Sequence, residues 1–113
     1  MPHERRRHTR KRVDLPAAYT VGAEGERIVV HLADISVGGA YLDKVEAAPT
    51  FGTEVILYVT LPGGNELKLE SVVRWTKPGG LGLQFGMHGA KETYLLTEFM
   101  STLEDVPVAG EFD

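Results

Sequence analysis

The sequence predicts an all-β fold, a barrel or sandwich of short strands with one helix at the C-terminal end. Three observations carry that prediction. Apolar residues alternate with period 2 through most of residues 13–85, clusters of glycine and proline interrupt the alternation, and from Lys91 the apolar spacing becomes helical. At 113 residues the chain is one domain's worth, enough for a single core.

Residues 13–20 read as a first strand, and Pro16, which cannot donate to a ladder, restricts it to an edge or a bulge. Residues 21–26 form a turn, and residues 27–35, rich in Ile and Val, form a second strand. Ser36-Val37-Gly38-Gly39 breaks that strand, and Ala40-Tyr41-Leu42 resumes extended structure. Residues 53–61 place Val55, Leu57, Val59 and Leu61 on one face. Pro62-Gly63-Gly64-Asn65 is a hairpin signal, and Leu67, Leu69, Ser71, Val73 and Trp75 fall on one face of the return strand. Lys77-Pro78-Gly79-Gly80 is another turn before a short last strand over residues 81–85. Leu95, Leu96, Phe99, Met100 and Leu103 share a helical face, which predicts a helix through about Glu104. Residues 105–113, with Pro107 and Gly110, read as an acidic flexible tail.

Composition narrows the function. With no cysteine, disulfides, thiolate metal sites and a cysteine nucleophile are excluded. The N-terminus has no apolar signal region and no stretch reaches the length of a membrane span, so a cytoplasmic protein without membrane contact is expected. The net charge of −4 is unevenly placed: residues 3–12 hold six cations and one acid, leaving six cations and fifteen acids elsewhere. A basic arm of +5 on a body of −9 favours a small, local anion over a nucleic-acid polymer. His3, His8, His31 and His88 have irregular spacing, so no metal is expected. Gly79-Gly80-Leu81-Gly82 lacks the following Lys-Ser/Thr of a phosphate loop. No acid, base and nucleophile stand in a catalytic context, so an enzyme is not expected.

Two segments can carry recognition chemistry. Arg5, Arg6, Arg7 and Arg10 offer planar, permanently charged donor forks suited to phosphate oxygens and to the O6/N7 edge of guanine. The same run also reads as a solvated terminus. Asp34-Ile35-Ser36-Val37-Gly38-Gly39 combines a carboxylate that can accept from guanine donors, a hydroxyl two residues on, and glycines that let backbone approach closely. The same residue types also close strands as Asx or Ser turns. Trp75, the only tryptophan, is either core or a stacking surface for a base. Arg74 alternates with it and is read as facing the other way, into solvent.

Together these segments resemble the PilZ domain family. Arg6-Arg7-His8-Thr9-Arg10 fits its RxxxR motif and Asp34–Gly39 its [D/N]xSxxG motif. Val72-Val73-Arg74-Trp75 and Gly80-Leu81-Gly82-Leu83-Gln84-Phe85 follow in the family's order, and the resemblance spans residues 4–104. It implies a six-stranded antiparallel PilZ-type β-barrel with a C-terminal α-helix over residues 13–104, preceded by a basic switch arm over residues 1–12. It implies cyclic di-GMP as ligand, with Arg6 and Arg10 on phosphates and guanine edges, Asp34 and Ser36 on a guanine, Gly39 shaping the loop and Trp75 near the ligand. Arg5, just before RxxxR, resembles the members that take two intercalated ligands per chain. No further cofactor is implied. Little chain precedes the motif, so no upstream domain is expected as its output. The function expected from the resemblance is an adaptor, monomeric or homodimeric, that orders its arm on the ligand and signals to a protein partner in motility or exopolysaccharide control. The alternative is a ligand-independent PilZ-like interaction module.

Overall fold

The computed structural model describes residues 11–23, 25–87 and 89–103. Six strands, β1 (Lys11–Val21), β2 (Ile28–Ile35), β3 (Gly39–Val45), β4 (Glu54–Thr60), β5 (Glu66–Lys77) and β6 (Gly79–Phe85), precede one helix, α1 (Ala90–Met100). The strands close into an antiparallel barrel in the order β1-β2-β3-β6-β5-β4. Closure removes the free sheet edges that a sandwich would leave. The fold is the six-stranded barrel with a C-terminal helix that the resemblance implies.

The period-2 pattern sets the inside of the barrel. Leu32, Ile35, Leu42, Leu57, Val59, Leu67, Leu69, Val73 and Leu81 are fully buried and belong to one core cluster. Leu96, Phe99 and Met100 from α1 join the same cluster, so the helix covers apolar surface that the strands leave open. α1 ends four residues short of the expected Glu104. The Ser101 and Thr102 hydroxyls donate to the Glu98 and Phe99 carbonyls at 2.7 Å each, taking up backbone acceptors at the helix end.

Bulges interrupt the ladders, and they matter for the site. The register shifts between Arg12 and Leu15, between Leu32 and Asp34, between Asp43 and Val45, and between Val73 and Trp75. Each extra residue bends its strand and re-aims side chains, as barrel closure requires. β1 pairs with β2 over Lys11–Tyr19 but with β4 only over Ala17–Val21. Pro16 therefore lies in the half of β1 that has one neighbour, opposite His31 of β2. β1 begins at Lys11, two residues before the expected start, so Lys11 and Arg12 are strand residues.

Candidate functional site

The turn between β2 and β3 is built by Ser36. Its backbone N–H donates to the Gly39 carbonyl at 2.8 Å, and its Oγ accepts the Gly38 and Gly39 N–H groups at 3.1 Å each. Ser36 is buried, and its own hydroxyl points to the Gly39 carbonyl at a long 3.4 Å. The serine-turn reading of the sequence is thus realised, and it fixes the loop that follows Asp34. Gly39 is needed where it stands: a Cβ there would lie 2.3 Å from the Leu83 carbonyl oxygen of β6. The Gly38 carbonyl accepts the Phe85 N–H at 2.9 Å, which ties the turn to the end of β6.

On the outer face of the barrel, strand pairing assembles one row across five strands. Arg12 faces Asp34, Asp34 faces Tyr41, Tyr41 faces Gly82, and Gly82 faces Trp75. An open cavity of about 340 Å³ lies along this row. It is lined by Asp34 near the end of β2, Ser36 in the β2–β3 turn and Gly39 at the start of β3, and by Tyr41, Arg74 and Trp75 from β3 and β5. Four of the expected site residues, Asp34, Ser36, Gly39 and Trp75, are thereby brought to one place. Arg5, Arg6 and Arg10 lie outside the described residues. Lys11, the next residue after Arg10, faces Ile35 between Asp34 and Ser36, so the chain that follows the arm enters β1 beside the cavity.

Two expectations on β5 are corrected. Trp75 does not share the inward face of Leu69 and Val73, and it is not core: it is 45% exposed. Arg74 is exposed, as expected, but it lines the same cavity as Trp75 and is not on the opposite face. The cause is the bulge that sets Arg74 and Trp75 together against Gly82, which breaks the period-2 count after Val73. Tyr41 and Gln84 also line the cavity and were not singled out from the sequence. Tyr41 was within reach, because the tight Ser36–Gly39 turn pairs Ile35 with Ala40 and therefore Asp34 with Tyr41.

The aromatic end of the row is tightly organised. The Tyr41 and Trp75 rings are stacked, with centroids 5.4 Å apart and planes 21° from parallel. The Lys77 ammonium stands 5.3 Å from the Tyr41 ring centre and 5.9 Å from that of Trp75. The Arg74 guanidinium lies 5.8 Å from the centre of the exposed Phe51 ring. One row away, His31 sits between two carboxylates, Nδ1 2.6 Å from Asp43 and Nε2 2.5 Å from Asp14. The bonds to Asp14 and then Asp43 raise its pKa above the ordinary 6.5, against a smaller opposing effect of burial. Among the described residues no group of three or more His, Cys, Asp or Glu side chains is placed to hold a metal ion. Among the same residues no helix is long and apolar enough to cross a membrane.

The molecule is thus a small closed barrel with a polar recess at one turn and an aromatic wall beside it. The family model described as "PilZ domain" matches residues 4–99, and the chain belongs to that family. A cellulose synthase 2 of Novacetimonas hansenii is 31% identical over 97 residues, which are 84% of this chain and 6% of that protein. The chain therefore spans a small part of that curated relative. The PilZ domain of YcgR from Escherichia coli, solved with c-di-GMP, superposes with a TM-score of 0.71 at 17% identity, covering 88% of this chain and 91% of that one. The PilZ domain of CeSA from a cellulose-synthesizing bacterium gives 0.67 at 17% identity, over 82% and 96% of the two chains.

Proposed function

We propose that the chain is a cyclic di-GMP receptor domain. The observation that carries this reading is the convergence on one cavity of Asp34, Ser36, Gly39 and Trp75, at the point where the strand that continues the arginine arm enters the barrel. The chemistry is complementary to the ligand. A carboxylate accepts from the N1 and N2 donors of guanine, an indole offers a stacking face, and guanidinium groups pair with phosphates. At about 340 Å³ the recess is at the small end of ligand sites, which suits a base held by the barrel while the arm covers the rest. Ser36 serves mainly by holding the turn, since its Oγ already accepts two N–H groups.

In this reading Arg6 and Arg10 close over the bound ligand, and the change in charge and order of the arm is what a protein partner reads. The domain acts by binding, without chemistry of its own. Selectivity tests the reading. Adenine carries an amine where guanine has O6 and lacks the N1 and N2 donors, so cyclic di-AMP does not offer Asp34 the donor pair that guanine does. Parallel calorimetric titrations with cyclic di-GMP, cyclic di-AMP and GMP should give saturable binding with the first and far weaker binding with the others. Equal binding of both cyclic dinucleotides would overturn the guanine assignment.

A further inference from the structure

The aromatic wall of the cavity rests on a glycine that has to be a glycine. A Cβ on Gly82 would lie 2.2 Å from Cε2 and 2.3 Å from Nε1 of Trp75. Gly82 is the cross-strand partner of both Tyr41 on β3 and Trp75 on β5, so the two side chains flank it from either side. Gly80, two residues earlier in β6, makes room in the same way: a Cβ there would lie 2.8 Å from the Tyr41 hydroxyl oxygen. Gly82 itself is buried. The indole thus lies down against backbone on one side and against the Tyr41 ring on another, and it is still 45% exposed.

That arrangement answers a problem set by the bulge. The register shift between Val73 and Trp75 turns the indole to the outer face, away from the inward direction that alternation from Val73 would give it. An exposed aromatic with no neighbours would sample several rotamers, and a base stacking on it would have to fix one of them. Stacking on Tyr41 and contact with Gly82 remove that freedom before any ligand arrives.

We propose that Tyr41 is a positioning residue for ligand recognition: stacked on Trp75 across Gly82, it holds the indole as a preset wall for a purine base. This rests on the receptor reading above, and the test separates the two. Trp75 is the only tryptophan, so its emission reports this wall alone. The experiment takes the full chain as wild type, Tyr41→Ala, Tyr41→Phe and Gly82→Ala. Each is measured for acrylamide quenching of indole emission without ligand, for affinity towards cyclic di-GMP, and for melting temperature.

The expected result is that Tyr41→Ala raises quenching and weakens cyclic di-GMP binding about tenfold, the low end of what a base–aromatic stack contributes. Tyr41→Phe restores both, because the ring and not the hydroxyl makes the stack. Gly82→Ala displaces the indole and also alters quenching and affinity. A Tyr41→Ala protein that melts cooperatively and binds like wild type overturns the positioning role while leaving the receptor reading intact. So does a loss of affinity with unchanged indole quenching, or one that Tyr41→Phe fails to restore. A wild-type chain that takes no cyclic di-GMP refutes the receptor reading and this role with it. Should Tyr41→Ala fail to fold, Tyr41→Leu and Gly82→Ala carry the same comparison.

Discussion

Arg12 of β1 and Asp34 of β2 are cross-strand partners, and Asp34 is the carboxylate that lines the cavity. One residue, Lys11, separates Arg12 from Arg10, and Arg6 lies four residues further back. The pairing therefore sets the start of β1, which directly follows the arginine motif in sequence, beside the Asp34 motif.

If the arm supplies the phosphate contacts, Arg6→Ala and Arg10→Ala should each weaken cyclic di-GMP binding by about 2–3 kcal/mol, the range of a charge-assisted contact. Both variants should melt like wild type. Near-wild-type affinity in both would show that the barrel binds without the arm.

Gly39→Ala should destabilise the domain by about 1–3 kcal/mol, because the new methyl meets the Leu83 carbonyl and must push β3 away from β6. Ser36→Ala removes the acceptor of two backbone N–H groups and should cost about 1–2 kcal/mol. Urea denaturation measures both. An unchanged midpoint in either variant would contradict the described turn.

His31 predicts a pH dependence. Its folded pKa is raised by Asp14 and Asp43, so its contribution to stability is fully present below the unfolded value of 6.5 and is lost as pH rises through the folded value. The melting temperature of wild type should fall across this window, and His31→Gln should flatten the profile. Proton NMR of the imidazole gives the direct check, and a His31 pKa at or below 6.5 would contradict the geometry.

Arg5 bears on stoichiometry. Two stacked ligands bring four phosphates together, and their repulsion calls for extra cations. Two cyclic di-GMP molecules per chain are expected, with Arg5→Leu moving the ratio towards one and added salt weakening binding. A ratio of one in both proteins would remove the paired ligand without touching the rest.

The strands and the core were legible in the sequence because burial follows parity: Val55, Leu57, Val59 and Leu61 are all buried, as their alternation requires. Asp34, Ser36 and Gly39 stood out because, together with the arginine run, they fit the [D/N]xSxxG motif; by residue type alone they read as a strand-closing turn, which Ser36 does build. Parity failed at Trp75, where a bulge adds one residue and turns the indole outward. Nothing in Val73-Arg74-Trp75 marks a bulge locally, since it is closure of the barrel that demands the bend. The reason for a glycine at position 82 appears only when Trp75 and Tyr41 arrive from two other strands.

The central claim is tested most directly by isothermal titration of the full chain with cyclic di-GMP at moderate salt, beside Asp34→Ala. The account predicts saturable heat for the wild type and strongly weakened binding for the variant, in which the carboxylate of the cavity row is gone. A wild-type chain that melts cooperatively yet releases no heat with saturating cyclic di-GMP would contradict it.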